Sequence, residues 1–327
     1  MADVARLAGV SLKTASRVLN GEPHVAESTA TKVQTAADQL GFRPNVIARE
    51  LRLGARSSTI GLVIGDVANP FYARLARGVE RRLRAEGLQL VTASSDEDPL
   101  AERALTAEML ERRMRALLLV TCLPDHTHLE RERRLGVPVA FLDRPPHGIV
   151  ADVVALDNEG GARRAAEHLL AQGHRRIGLV GDLSRLPTHR ERVAGFGTAM
   201  TAAGVDGWEQ LVRTDSHDSD AASRAVHDLL ALPEPPTALF TTNNRITVGA
   251  LRALAGVAAP PALVGFDDFE LADLLGVTVV AHRPEEMGRL GAEVLLDRLA
   301  GDETPAATTR LPVDLVPRGS GERPPPA

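Results

Sequence analysis

The chain has 327 residues, 44 % apolar and 25 % charged, with a net charge of −5. That length and balance fit two or three folded units with buried cores, and they argue against a generic polyanion binder. No apolar run reaches the length of a membrane span, no apolar leader opens the chain, and the single Cys122 can form neither an internal disulfide nor a metal cage. The expectation is therefore a cytoplasmic protein without metal or cofactor.

Charge is uneven along the chain. Residues 1–56 hold eight Lys/Arg and five Asp/Glu, a net of +3, which leaves −8 for the rest; both lysines, Lys13 and Lys32, lie in this first segment. A basic head on an acidic body fits local attraction to phosphate without general adhesion to polyanions.

The first predicted elements lie in "DVARLAGVSLKTASRVLN", Asp3 to Asn20. Asp3 can cap a helix running to Ala8, with Val4, Ala5 and Ala8 on one buried face. Gly9 supplies a turn and Val10 points back into a small core. Ser11 caps a second helix, Leu12 to Leu19, whose inner face is Ala15, Val18 and Leu19. A third helix over Glu27 to Leu40 turns Val33, Ala36, Ala37 and Leu40 inward. Three short helices in this order make a helix-turn-helix.

The major groove of DNA admits one helix, with the residues near its N-terminus at the base edges. The second helix leaves Leu12, Lys13, Ser16 and Arg17 on its outer face. Arg17 has a planar fork that matches a guanine's O6 and N7. Lys13 can reach a base acceptor or a phosphate, and Leu12 a thymine methyl. Ser11, Thr14, Ser16, Asn20 and His24 suit phosphate oxygens, which set register without reading sequence. The bland alternative is a solvated surface helix; the ordered string of turn, cap and inner face argues against it.

Next comes "RPNVIARELRLGARSS". Pro44 stops the third helix, and Asn45 caps a stretch in which Val46 or Ile47, Ala48 and Leu51 share a face. About nine residues make a marginal helix in water, because nucleation is costly. Either this segment has a partner or it is a plain linker; the residues alone leave both open.

From Thr59 onward, apolar strands alternate with amphipathic helices. The strands read "TIGLVIG", "LQLVTAS", "ALLLV", "PVAFLD" and "VVAL", then "RIGLVGD", "ALFTT", "ALVGF" and "VTVV". Helices are expected over Phe71–Glu86, Ala101–Arg113, Glu159–Ala171, Arg190–Ala203 and Asp220–Ala231. This pattern means parallel sheets covered on both faces, in two Rossmann-like subdomains. The Pro-rich "GERPPPA" at the end is expected to fray. Ligands of such sheets meet the loops after strand C-termini, and a cleft between two subdomains is the default pocket. The candidates there are Asp66, Asn69, Phe71, Tyr72, Ser94, Ser95, Asp96, Asp143, Arg144, Arg192, Asn244, Asp267 and Asp268. Each taken singly can also be a loop cap or turn residue, Asp66 and Asp267 most of all.

"DVARLAGVSLKTASRVLNGEPHV" with "LGFRPNVIARELRLG" resembles the lactose-repressor (LacI/GalR) family of bacterial transcription regulators. "IGLVIGDVANPFYARLARGVE", "DNEGGARRAAEHLLAQGHRRIGLVGD", "PTALFTTNNRITVGALRAL", "LVGFDDFELADLL" and "LVPRGS" follow in family order, so the likeness covers nearly the whole chain. The resemblance implies an α plus α/β protein: a helix-turn-helix head over 1–43, a hinge helix and linker over 44–57, and a periplasmic-binding-protein-like core over 58–327. In that core the chain crosses three times, near 156–158, 281–284 and 310–312. The N-subdomain would hold about 58–156 plus 284–311, and the C-subdomain 157–281 plus 312–327.

The resemblance further implies a homodimer that binds double-stranded operator DNA, with paired hinges over the minor groove. There Asn45 starts the hinge helix, Ala48 permits close approach and Leu51 wedges between base pairs. A small effector, of carbohydrate type, would bind the cleft through Phe71, Tyr72, Arg144, Arg192 and Asn244, with Asn69, Asp96 and Asp268 beside them. His217 stands where an aromatic often stacks on the ligand, and Asn244 where many sugar-responsive members have Asp. Members usually carry a few more residues before the first helix than the two that precede Asp3 here. Dimerisation is expected through "FYARLARGVERRLR", with Ala73, Ala76 and Leu83 available for packing, although this helix might equally serve its own subdomain alone.

Two rival readings fit parts of the chain. An enzyme would need a phosphate loop, a G-x-G-x-x-G turn, a G-x-S-x-G elbow or an H-E-x-x-H pair, and none occurs; His174 in "GHRRIG" reads as a turn residue. A solute-binding protein without effective DNA binding would share the body, but the head argues against it.

Overall fold

The computed structural model describes residues 1–20, 25–42 and 57–326. The chain divides into two compact units, Met1–Ser58 and Thr59–Ala327. The expected hinge, with Asn45, Ala48 and Leu51, lies outside the described residues, as does His24.

In the first unit, α1 (Ala2–Ala8), α2 (Leu12–Leu19) and α3 (Glu27–Gln39) close around Val4, Ala5, Ala15, Val33, Ala36 and Ala37. Small side chains dominate because helices this short can bury enough surface only by crossing closely. Gly9 ends α1 at φ 65°, and Val10 donates its N–H back to the Ala5 carbonyl at 3.0 Å. Only glycine enters that left-handed region without strain. Two details differ from expectation. The residue before α1 is Met1, with no side-chain cap; Asp3 lies inside the first turn and pairs with Arg6 at 2.9 Å. Leu40 follows the end of α3 and is exposed, because the helix stops at Gln39; Phe42 packs on the core in its place, donating to the Ala37 carbonyl at 2.8 Å.

The second unit contains two six-stranded sheets. The first collects β1 (Thr59–Ile64), β2 (Gln89–Ser94), β3 (Ala116–Leu119), β4 (Val139–Leu142), β5 (Asp152–Leu156) and β11 (Thr308–Leu311), in the order β2-β1-β3-β4-β5-β11 and all parallel. Helices α4 (Pro70–Arg84), α5 (Pro99–Glu111) and the short α6 (Glu130–Arg134) connect its early strands. The second sheet runs β7-β6-β8-β9-β10-β12, built from β6 (Ile177–Val180), β7 (Val212–Arg213), β8 (Ala238–Thr241), β9 (Ala262–Phe266), β10 (Thr278–Ala281) and β12 (Asp314–Val316). Its helices are α7 (Asn158–Ala171), α8 (Pro187–Ala202), α9 (Ser219–Leu230) and α10 (Asn244–Leu254). The remaining helix, α11 (Pro284–Ala300), packs against α4 and the first sheet.

The chain thus passes between sheets after β5, after β10 and after β11. Each crossing leaves from the C-terminal end of a strand, so all three lie beside the cleft. The last is only two residues long, and it enters the second sheet from the cleft side. For that reason β12 runs antiparallel to β10 in an otherwise parallel sheet. Isoleucine and leucine side chains of β1 (Ile60, Leu62, Ile64) are buried with Leu75, Val79 and Leu83 of α4. Each such side chain removed from water contributes roughly 2 kcal/mol before entropy is counted. Leu83, named above for the dimer face, therefore belongs to its own subdomain's core. Strands β2 and β11 are the edges and are not covered as the four between them are; Val91 of β2 is 41 % exposed.

Helices α4 and α11 meet backbone to backbone. A Cβ on Gly78 would sit 2.0 Å from the Glu285 carbonyl oxygen, and one on Gly288 2.1 Å from that of Leu75. His174 is more than a turn residue. It is fully buried, with Nδ1 2.8 Å from the Thr237 hydroxyl and Nε2 2.9 Å from the Arg323 carbonyl. That bond holds the Pro-rich tail, which was expected to fray, against the second sheet.

Candidate functional site

Helix α2 buries Ala15 and presents Ser11, Leu12, Lys13 and Arg17 to solvent, with Thr14, Ser16 and Asn20 half-buried. Ser11, in extended backbone, accepts from the Thr14 N–H at 3.1 Å, and the two hydroxyls lie 2.9 Å apart. Asn20 donates to Ser16 Oγ at 3.2 Å. The result is a helix N-terminus with a cation, a guanidinium and an apolar tip facing outward, and hydroxyls along its flank. Its N-terminal dipole and free N–H groups favour phosphate nearby.

The other candidate site lies between the two sheets, at the C-terminal ends of their strands. It is a small cavity of about 30 Å³ lined by Asn69, Phe71, Tyr72, Asp143, Arg144, Asp182, Thr188, Arg192, Asn243 and Asp267. On the first-sheet side, Arg144 is buried and donates Nη1 and Nη2 to Glu97 Oε2 and Oε1 at 2.6 and 2.9 Å. Nη2 also donates to the Tyr72 hydroxyl at 3.0 Å, which in turn donates to Glu97 Oε1 at 3.1 Å. Burial pushes the Tyr72 phenol well above its ordinary value, so it stays a neutral donor. Asp143 is pushed up by burial as well, although Arg144 and Arg192 pull against that shift.

On the second-sheet side, Arg192 stacks over the Phe266 ring at 3.7 Å, donates Nε to Asn158 Oδ1 at 2.9 Å and lies 3.9 Å from Asp267. Burial works to raise Asp267, but Arg192 and the His282 ring, 2.9 Å away, hold it below the usual carboxylate range. Asp182 is treated the same way by burial and by His217, whose Nδ1 lies 2.8 Å from Oδ1; Asn243 donates to Oδ2 at 2.8 Å. The His217 imidazole is raised in return by that carboxylate.

Three side-chain bonds span the mouth. Asn244 donates Nδ2 to Asn69 Oδ1 at 2.9 Å, Arg245 pairs with Asp66, and Arg185 donates to the Glu97 carbonyl at 2.5 Å. Buried atoms of the walls and mouth without a hydrogen-bond partner among the described residues include Asp143 Oδ1, Arg144 Nε and Asn244 Oδ1, with His282 Nδ1 behind Asp267; Arg144 Nε lies 3.6 Å from Asp143 Oδ2.

Of the residues named from sequence, Asn69, Phe71, Tyr72, Asp143, Arg144, Arg192 and Asp267 line the cavity, and Asp66 pairs with Arg245 across the mouth. Asn244 stands at its mouth, and His217 lies behind Asp182. Four are not brought in. Ser94 Oγ lies 3.0 Å from the Gly65 carbonyl, and Ser95 donates its hydroxyl to the Ile64 carbonyl at 3.2 Å. Asp96 is exposed and accepts from Ser94 Oγ at 3.0 Å. Asp268 turns away to a two-point pair with Arg318, at 2.7 and 2.8 Å. Glu97 and Asp267 hold the corresponding inward positions. The left-handed backbone explains the exchange: Asp96, Glu97, Asp143 and Asp267 have φ of 52°, 57°, 65° and 70°, where strand alternation no longer says which neighbour points inward. Glu97, Asp182, Thr188, Asn243 and His282 were missed altogether; Asn243 and Glu97 each adjoin a residue that was named.

The sequence profile for bacterial regulatory proteins of the lacI family matches residues 1–45, and that for the periplasmic binding protein-like domain matches residues 166–321. The ribose operon repressor of Escherichia coli (strain K12) is 33 % identical over 332 residues, covering 98 % of this chain and 99 % of the relative. The chain belongs to the lacI family. Solved structures agree with the fold of this lacI-family regulator. The lac repressor dimer bound to operator and the anti-inducer ONPF matches it with a TM-score of 0.81 at 26 % identity, over 98 % of both chains. The transcriptional regulator CelR in complex with cellobiose matches with 0.72 at 31 % identity, over 97 % of this chain and 98 % of the other. The lacI-family chain is thus a DNA-binding transcriptional regulator, with a helix-turn-helix head and a periplasmic-binding-protein-like core.

Proposed function

We propose that this regulator represses transcription by placing α2 of each of two subunits in the major groove of a near-palindromic operator, and that a small polyhydroxylated effector in the cleft changes its grip. Arg17 and Lys13 read or position on the DNA, Leu12 meets a base methyl, and Ser11, Thr14, Ser16 and Asn20 hold phosphates. The cleft binds rather than transforms its ligand.

One observation carries the effector reading: the trio of buried, unpartnered wall atoms. Arg144 Nε donates, while Asp143 Oδ1 and Asn244 Oδ1 accept. A hydroxyl both accepts and donates, so a sugar hydroxyl can satisfy adjacent members of such a set. An unpaired buried polar atom costs about 1–3 kcal/mol, so a ligand that satisfies all three favours the closed cleft. The cellobiose bound to CelR and the name of the ribose repressor point to the same ligand class. Two subunits have an apolar face on which to meet: exposed Leu271 stands beside Val248 and Phe269, and Leu274 and Leu275 are exposed in the same segment.

The test is a thermal-shift titration of the full chain with ribose, glucose and cellobiose, followed by operator-binding measurements with any sugar that stabilises it. A saturable rise that Arg192→Met abolishes, together with a change in operator affinity, is expected. No rise across pentoses, hexoses and disaccharides overturns the effector reading.

A further inference from the structure

Both guanidinium groups of the cleft are already taken. Arg192 is shared among Asn158, the Thr242 carbonyl, Asp267 and the Phe266 ring. Arg144 has its two-pronged end, the part that would seize a phosphate or carboxylate, filled by Glu97 at 2.6 and 2.9 Å. That pair is nearly inaccessible to solvent, at 4 % and 2 % for the two side chains.

The surroundings are shaped around this carboxylate. Gly65, at the end of β1, has no side chain where Glu97 lies; a Cβ there would fall 2.0 Å from Glu97 Oε1. Tyr72 donates its hydroxyl to the same oxygen. The backbone at Asp96 and Glu97 is turned left-handed twice in succession to deliver the side chain inward. Across the mouth, Arg185 holds the Glu97 carbonyl. What remains facing the cavity is acidic: Asp143, Asp182 and Asp267.

From this we infer that Glu97 is a specificity-determining residue: it acts as an internal counter-ion that occupies Arg144 and restricts the cleft to uncharged ligands, excluding sugar phosphates and sugar acids. The inference deepens the effector reading above and rests on the same cleft. Glu97 works through Arg144 and is a positioning residue. An incoming anion would have to displace a two-point ion pair and then sit among three carboxylates. A neutral polyol leaves that pair intact, since it can use Arg144 Nε, Asp143 Oδ1 and Asn244 Oδ1, which have no hydrogen-bond partner among the described residues. Removing the Glu97 carboxylate leaves an arginine beside a hole of carboxylate size.

The experiment has an arm that does not depend on knowing the effector. The melting temperature of the full chain and of Glu97→Ala is measured against acetate at constant ionic strength, and against ribose and glucose beside ribose 5-phosphate, glucose 6-phosphate and gluconate. The wild type is expected to show no saturable response to any of the anions. Glu97→Ala is expected to be stabilised saturably by acetate, with affinity at least tenfold above wild type, and Arg144→Met in the same background to lose that response. A merely structural Glu97 would lower the melting temperature without creating an anion site that depends on Arg144. Should Glu97→Ala not fold, the isosteric Glu97→Gln must reduce discrimination between neutral sugar and sugar phosphate at least tenfold. Saturable wild-type binding of a sugar phosphate or sugar acid overturns the inference, as does a Glu97 variant that gains nothing. Failure of every neutral sugar, with acetate still rescuing Glu97→Ala, counts against the effector reading alone.

Discussion

Closure of the cleft without ligand rests on few bonds, and removing two of them makes the first prediction. Arg245 pairs with Asp66 across the mouth, with side chains 32 % and 16 % exposed. Arg185 donates to the Glu97 carbonyl from an exposed position. Solvent screens both, so each contributes about 1 kcal/mol rather than the larger value of a buried pair. Together they amount to about 2 kcal/mol, so Arg185→Ala/Arg245→Ala should lower the ratio of closed to open cleft roughly thirtyfold. Neither side chain supplies an unpartnered wall atom, so ligand contacts remain. Cysteines at Arg134 and Ala258, both exposed on opposite subdomains, accept spin labels, while the buried Cys122 does not compete. Labelled chains diluted with unlabelled ones give one distance per molecule by pulsed electron resonance. The double variant should show a longer or broader distribution that a stabilising sugar restores. Coincident distributions for wild type and variant would show that these bonds do not hold the cleft shut.

Further expectations concern the head, the acid response and the helix pair. Arg17→Ala should cost specific operator binding about 1–3 kcal/mol and relax base preference at one position; fluorescence anisotropy with unchanged affinity would remove Arg17 from the reading face. His126, fully buried with Nε2 2.6 Å from Thr121 Oγ1, is pushed down by burial to about 4. The unfolded chain therefore takes up this proton from about pH 6.5 downward and the folded chain only near 4, so stability present above 6.5 falls by up to roughly 3 kcal/mol between those values. Urea midpoints at pH 7 and 4.5 should diverge less in His126→Gln, and an equal loss in both proteins would refute the assignment. Gly288→Ala must push a methyl into the Leu75 carbonyl, at a cost of roughly 2–3 kcal/mol, or about 5–10 °C in melting temperature.

The legible parts of the sequence were those fixed locally. Gly9, Ser11 and the inner face of α2 sit within a dozen residues, and each follows from cap chemistry or helical period. The nine apolar strands were equally plain, because a buried parallel strand must be apolar on both faces. β7, β11 and β12 escaped notice: β7 is two residues long, and the others carry Thr, Arg and Asp at exposed sheet edges. In the cleft, sequence placed the right loops but not always the right neighbour. Asp96 for Glu97 is an error of one residue, and Asp268 was named beside Asp267 although only Asp267 faces inward; both lie where left-handed backbone breaks the alternation. Cross-cleft partners such as Asp66 with Arg245 lie far apart in the chain, and no local pattern announces them.

The order in which the strands are made has a consequence for synthesis. The first sheet receives its last member, β11, only at residues 308–311, and the second receives β12 only at 314–316. A polypeptide emerging from the ribosome therefore carries two incomplete sheets for most of its translation, each with an unpaired edge at β5 or β10. Neither half can be finished early and left to wait for the other. Premature termination or clipping before residue 308 strips a border strand from both at once, so fragments ought to aggregate or be degraded rather than persist as a stable half-body.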